Sequence, residues 1–272
     1  MKTPTRMVAF AIVSSLLMFS TTHASISVIG GLTHEKSVKP GQIYRGSILI
    51  KNCGIQTQEV KIYQTDYHFS FDGTNVYGPP GEATRSNAAW VSFNPHRLII
   101  PASDTLRVNY TANVPDAAAL VGTYWSMLMV EGVPQGSSNL AQAEAGETKL
   151  SITQIVRYGV QMITHIDNTG HSTLEFLDTR LLRENESRVL QVDLENSGER
   201  WLRPTLWVEI YDLTGSYLGR FAGGTKRTFP GTSVRYRLDL SDVPQGEYIG
   251  LLVADCGGDS VFGTKYTLKL EQ

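Results

Sequence analysis

Alternation with a period of two governs nearly every apolar segment of this chain after Ser25, and it leaves room for little but β-structure. The longest case is LSITQIVRYGVQMITHI, Leu150 to Ile166. Its even positions read Ile152, Gln154, Val156, Tyr158, Val160 and Met162. Its odd positions read Thr153, Ile155, Arg157, Gly159, Gln161 and Ile163. One face is therefore largely apolar and the other mixed, as on a long β-strand. QIYRGSILIKNCG, EVKIYQTDYHFSF, RLIIPASDTLRVNYTANVP and GTYWSMLMVE give further short strands set off by turn residues. No long amphipathic helix is evident. NLAQAEAGE, Asn139 to Glu147, is small and polar and reads as loop.

The pattern occurs twice. SILIKNCGIQTQEVKIYQTD in the first half answers to VLQVDLENSGERWLRPTLWVEIYDLTG in the second. Each has a strand, an Asn-x-Gly turn, a polar link and a strand with Ile-Tyr. TLRVNYTANVPDAAALVGTYWSMLMVE answers likewise to SVRYRLDLSDVPQGEYIGLLVADCG. Short strands, frequent turns and a repeat predict an all-β protein of two tandem immunoglobulin-like β-sandwich domains. The first spans 25–166 and the second 167–272, with the boundary at IDNTGHS, where Asn, Gly and Ser punctuate the chain. The surplus length of the first half falls in a hairpin insertion over about 66–90.

The first 24 residues stand apart. Lys2 and Arg6 precede the apolar run Met7 to Phe19, and small residues at Thr22 and Ala24 precede Ser25. This reads as a secretory signal peptide cleaved after Ala24, the alternative being an N-terminal membrane anchor. No other stretch is long and apolar enough to cross a bilayer as a helix. The expectation is a periplasmic or secreted protein without a stable membrane anchor once the signal is removed. At 272 residues and a net charge of −2, nothing argues for nucleic acid or an anionic membrane as partner.

FNPHRLIIPASDTLRVNY resembles the core pattern of the first domain in PapD-like periplasmic pilus-assembly chaperones. YWSMLMVEGVP is similar to the strand that follows there, and QIVRYGVQMITHI to the long last strand of that domain. The resemblance covers most of Val38 to Ile166 in order. VKPGQIYRGSILIKNCG is also similar, more weakly, to WxL-interacting cell-surface proteins, which usually end in a membrane helix where this chain ends YTLKLEQ. The chaperone resemblance implies strand donation to an extracytoplasmic protein client by β-augmentation: ladder hydrogen bonds give affinity and side-chain pockets give specificity. The residues so implied are Ile152, Val156, Tyr158, Val160 and Met162. The alternative is that this row packs into its own core, as one face of any sandwich strand does. The family also anchors a client carboxylate on two basic residues. The early strand ISVIGGLTHEK has no Arg, and the last strand has no Lys at the matching place, which leaves Arg45 and Arg157 as stand-ins.

The insertion carries Tyr63, Tyr67, Phe69, Phe71, Tyr77 and Trp90, with Asp72-Gly73 as a hairpin turn. Tyr67, Phe69, Phe71 and Tyr77 are candidates for an aromatic contact face. They either meet a partner or cover one end of the sandwich. This face supports a second functional reading, a cell-envelope structural or adhesion module binding wall polymer or a surface partner. VPQGSSNLAQAEAGETK, residues 133–149, is a long polar loop between the strands that border the proposed client edge.

Catalysis finds no footing. His34, His68, His96, His165 and His171 are scattered without metal-ligand spacing, and no nucleophile elbow or phosphate loop occurs. GGTKRTFPG lacks phosphate-loop spacing and reads as a turn. No cofactor and no metal is expected, and no enzymatic role. Cys53 follows the second strand of the first domain and Cys256 the sixth strand of the second. In tandem sandwiches this puts them about a domain length apart, beyond the roughly 7 Å Cα separation that a disulfide tolerates. Thiol titration of the denatured, unreduced monomer is accordingly expected to find both free; a monomer with neither free would contradict that topology.

Overall fold

The computed structural model describes residues 26–134, 155–185 and 187–271. The signal segment 1–24, most of the 133–149 loop and Ile152 lie outside the described residues. The strands of the first half are β1 (Ile26–Ile29), β2 (Thr33–Val38), β3 (Ile43–Asn52), β4 (Gln58–Phe69), β5 (Asn75–Gly78), β6 (Val91–Asn94), β7 (Arg97–Ile100), β8 (Thr105–Asn113), β9 (Gly122–Gly132) and β10 (Arg157–Ile166). Those of the second are β11 (Leu174–Glu184), β12 (Ser187–Asn196), β13 (Thr205–Asp212), β14 (Tyr217–Thr225), β15 (Ser233–Asp239), β16 (Gly246–Asp255) and β17 (Val261–Leu270).

Each half is a sandwich. In the first, a sheet ordered β1-β3-β8-β6 faces one ordered β2-β10-β9-β4-β5, with β7 beside β4. In the second, β11-β12-β15 faces β14-β13-β16-β17. The period-two pattern explains the cores directly. Ile48 and Ile50, Val108 and Tyr110, Val60 and Ile62, Leu128 and Val130, and Val160 and Met162 all point between the first pair of sheets. Leu190, Val192 and Leu194 do so in the second, with Tyr236 beside them in the same sheet and Val208 and Leu252 opposite. Burying such side chains stabilises each sandwich by about 25 cal/mol per Å² of apolar surface removed from water.

The repeat has an atomic counterpart in two fully buried asparagines. Asn52 closes β3: its Nδ2 donates to the carbonyls of Gln56, Ile100 and Pro101, and its Oδ1 accepts from Gly54 N. Asn196 closes β12 in the same way, Nδ2 donating to Arg200 O and Thr228 O while Oδ1 accepts from Gly198 N. Asn suits the job because its amide donates and accepts at once, satisfying turn groups that have no ladder partner.

The chain changes sheets after β1. Gly30 lies at φ +95°, where a residue with a Cβ is strained, and it turns the chain out of the first sheet. β2 then joins the other sheet, running parallel to β10 from Gln161↔Thr33 to Ile166↔Val38. β10 is antiparallel to β9 over its whole length.

Two expectations change here. The described strand begins at Arg157, with Ile155 and Val156 leading into it outside regular pairing. Val160 and Met162, expected on a partner-facing row, are fully buried in the protein's own core. Their parity points them between the sheets, so a partner could reach them only by opening the sandwich. A measurement separates the two situations. Met162→Ala is expected to cost about 2–5 kcal/mol in urea unfolding through the cavity it leaves. Ile155→Ala, at an exposed position, is expected to stay within about 0.5 kcal/mol of the parent.

Candidate functional site

β10 offers its partners different things on its two edges. Val156 O accepts from Gly132 N, so the even residues direct their main-chain groups toward β9. Gln161 N donates to Leu32 O, so the odd residues direct theirs to the other side. That side is covered by β2 from Gln161 onward. Among the described residues no strand covers it at Arg157 or Gly159. The amides and carbonyls of these two residues form a short open stretch of sheet edge.

Around this edge, Ile155 is exposed, and Tyr158 packs on the first core with its hydroxyl donating to Ile26 O. Arg157 Nε lies 2.6 Å from Glu131 Oε2, which also accepts from Tyr63 Oη at 2.8 Å. Partial burial pushes the Glu131 carboxyl upward, but the Tyr63 and Arg157 hydrogen bonds and the nearby Arg157 and Lys61 charges outweigh it. The carboxyl is held below its ordinary value.

The two basic stand-ins do not converge. Arg45 alternates with the inward Tyr44, Ile48 and Ile50 on β3 and so projects from the outer side of the first sheet. Arg157 alternates with Tyr158 and Val160 on the opposite sheet and projects the other way. They stand on opposite outer faces of one sandwich, and Arg157 already has a carboxylate partner. A shared carboxylate anchor made of Arg45 and Arg157 is therefore not formed.

The outer face of the β10-bearing sheet turns toward the second sandwich. Trp125 of β9 stacks on Phe229 with centroids 4.9 Å apart, and Ile163 of β10 is buried with them, flanked by Phe69 and Trp201. Trp125 Nε1 donates to Tyr67 O at 2.7 Å. Phe71 N donates to Ser233 Oγ at 3.1 Å, and the Arg235 guanidinium sits over the Phe71 ring. The insertion thus spends Phe69 and Phe71 on the second sandwich, and Tyr67 is half-buried beside them. Phe69 and Phe71 are corrected from partner-facing to contacts between the sandwiches, while Tyr67 stays partly open beside the cleft and Tyr77 remains exposed at 54%. A cleft of about 310 Å³ lies between the halves, lined by Tyr67, Phe69, Ser70, Asn75, Gln161, Arg227 and Phe229.

A polar joint lies near the crossing between halves. Thr123 Oγ1 accepts from Trp201 N and lies 3.0 Å from His165 Nδ1. The Glu35 carboxylate accepts from His165 Nε2 at 2.9 Å, so in the neutral imidazole Nδ1 is left to accept from the Thr123 hydroxyl. Arg227 Nη2 approaches the other Glu35 oxygen at 3.8 Å. Arg85 and His171 both reach Glu199, and Glu199 O accepts from Thr123 N. Sequence reasoning passed over His165, Glu35, Trp201 and Phe229, whose partners are distant in the chain and carry no local motif. Among the described residues, no group of three or more His, Cys, Asp or Glu side chains could hold a metal ion.

No family model matches the chain, and no curated protein matches it. Solved structures of similar architecture exist. One, titled "Chaperone-tip adhesin complex is vital for synergistic activation of CFA/I fimbriae biogenesis", is 10% identical, covers 90% of this chain and 98% of its own, and has a TM-score of 0.47. The class 5 fimbriae chaperone CfaA is 12% identical over 91% of this chain and 100% of its own, TM-score 0.44. The Salmonella enterica SafA pilin in complex with the SafB chaperone gives 13% over 92% and 99%, TM-score 0.41.

Burial lowers the His165 pKa from 6.5, and Arg200 and Arg227 push the same way against Glu35. His34 is lowered too, chiefly by burial. Both are held neutral in the folded state, whereas the unfolded chain takes up their protons near the ordinary value. The stability they contribute is complete above about pH 6.5 and is lost as pH falls below it. The melting temperature is expected to drop from about pH 7.5 to about pH 5.5, and less steeply in His165→Gln. An unchanged slope in that variant would remove His165 from the account.

Proposed function

We propose that this protein is an extracytoplasmic, non-catalytic, chaperone-like binding module that engages a protein partner by β-augmentation on the open edge of β10. The observation that carries this reading is the uncovered main chain at Arg157 and Gly159, where β2 has not yet begun to pair. A partner strand laid there continues the β2-β10-β9-β4-β5 sheet and satisfies groups that no described strand pairs. Val156 and Tyr158 shape the margin of the contact; Val160 and Met162 hold the strand rigid from beneath. Ile155 supplies an exposed apolar side chain. A partner carboxylate that sought Arg157 would first have to displace Glu131.

The sequence resemblance to PapD-like chaperones points to the same chemistry, and with it to a periplasmic or secreted location and a two-domain division near 166–172. The reading as a wall-polymer or adhesion module keeps Tyr77 and its neighbour Val76 as the exposed large apolar residues among the described residues of the insertion. Phe69 and Phe71 are engaged elsewhere.

Two measurements test the edge. In amide exchange, Arg157 and Gly159 are expected to exchange fast, and Tyr158 and Val160, which face β9, slowly. Protection at Arg157 and Gly159 in the free protein would mean the edge is covered. Arg157→Pro removes an outward amide at a place where an edge strand tolerates proline. It is expected to keep the fold and weaken capture of a discrete envelope protein about tenfold, the worth of one or two hydrogen bonds at about 1 kcal/mol each. Arg157→Gln retains the amide and is expected to retain capture. Equal capture by a folded Arg157→Pro protein would refute edge pairing.

A further inference from the structure

We propose that the β4–β5 hairpin is an intramolecular clamp that fixes the angle between the two sandwiches and so holds the cleft in a preset shape. β4 pairs with β9 only from Val60 to Thr65; from Asp66 to Phe69 its ladder is with β5 alone. The hairpin is thus an arm that extends past its own sheet. Such a ribbon is marginal in water unless it finds something to pack on. Here it packs on the second sandwich.

The arm is held at both ends. At its root, Asp66 accepts from Gly81 N, Ala83 N and Ser86 Oγ and ties the return loop down. Trp125 Nε1 donates to Tyr67 O, and the same indole stacks on Phe229. At its tip, Phe69 meets Phe229 edge-on at 6.2 Å and packs against the core of the second sandwich. Phe71 N donates to Ser233 Oγ, and its ring lies 4.9 Å from the Arg235 guanidinium carbon. Arg235 does not wander, because Asp193 grips it through two bonds of 2.7 Å and Asp193 itself is only 1% exposed. The tip therefore meets a surface that is already ordered.

Geometry makes this a clamp rather than one more contact. The halves also meet near the linker, where Thr123 N donates to Glu199 O, Trp201 N donates to Thr123 Oγ1 and Arg85 pairs with Glu199. Beside it, Trp125 and Ile163 pack on Phe229, and His165 stacks on Trp201. These adjoining contacts form one zone about which two rigid bodies can rock. Inter-domain contacts of modest extent within a chain permit domain motion by default. The arm adds a second, separate zone, and two separated attachments remove the pivot. The cleft is walled on one side by the arm (Tyr67, Phe69, Ser70, Asn75) and on the other by Arg227 and Phe229, so its width follows from the clamp.

Pulsed dipolar spectroscopy between spin labels on either half tests this directly. Ile55 and Leu213 are exposed and belong to different sandwiches, so Ile55→Cys with Leu213→Cys, in a Cys53→Ser, Cys256→Ser background, reports the inter-sandwich distance. The parent is expected to give one narrow distribution. Phe71→Ala with Ser233→Ala removes the tip contacts but spares Phe69 and the second core, and is expected to broaden or split it. Tyr77→Ala, exposed on the same arm, is expected to leave it unchanged. A parent distribution already broad, or a tip variant as narrow as the parent with the same mean, overturns the proposal. Calorimetry guards against misfolding: the tip variant should separate one cooperative transition into two, each sandwich still melting. Loss of a transition would call for the milder Arg235→Lys change, expected to broaden the distribution while both sandwiches stay folded; a narrow one in that variant counts against the clamp.

Discussion

The parallel pairing of β2 with β10 starts at Thr33 and Gln161, and the exposed chemistry of the first sandwich follows from where it starts. Had the chain left β1 a turn earlier, β2 would have covered β10 from end to end, and β10 would have no free main-chain groups there. The crossing at Gly30 and Gly31 fixes that starting point. Gly30 permits a conformation with φ +95°, which swings the chain from one sheet to the other before pairing can begin. One backbone conformation thus decides how much of an edge is left for another chain.

The second constraint is the meeting of the two sandwiches. The cluster of Trp125, Ile163 and Phe229 lies on what would otherwise be the solvent face of the β10-bearing sheet. It explains why β10 is apolar on both faces at its C-terminal end: Met162 serves the inner core and Ile163 the joint. The polar groups beside it are matched rather than merely adjacent. Donating from Nε2 to Glu35 leaves the neutral His165 imidazole a single tautomer, whose Nδ1 accepts from Thr123 Oγ1 while that hydroxyl accepts from Trp201 N. A desolvated site with such fixed roles has little tolerance for an added proton.

Much of this architecture was legible in the chain. The period-two pattern gave the strands, and the recurring Asn-x-Gly turns announced the repeat that Asn52 and Asn196 realise with the same set of bonds. Tyr67 and Phe69, two apart on β4, lie together with ring centroids 5.5 Å apart. What parity does not carry is the identity of the surface opposite. The apolar row of β10 looked equally suited to a client and to its own core, because both demand the same residues; only sheet partners distinguish them. Arg45 and Arg157 misled for a related reason. Each lies on an outward face, but the two sheets of a sandwich have opposite outward directions. The aromatic arm needed knowledge of the second sandwich's placement, which arises from contacts between residues far apart in sequence, such as Phe71 with Ser233.

An edge able to accept a foreign strand can also accept the same edge of another copy, which is the first step toward aggregation. In a symmetric antiparallel encounter centred on Tyr158, Arg157 of each molecule would come to rest beside Gly159 of the other. Two guanidinium groups would then stand diagonally across one short ladder, each beside its own Glu131. Like charges so placed oppose pairing. Arg157 therefore acts as a gatekeeper for colloidal behaviour: it makes self-recognition costly at the stretch of β10 that β2 leaves unpaired, and it leaves that stretch to a strand of different charge.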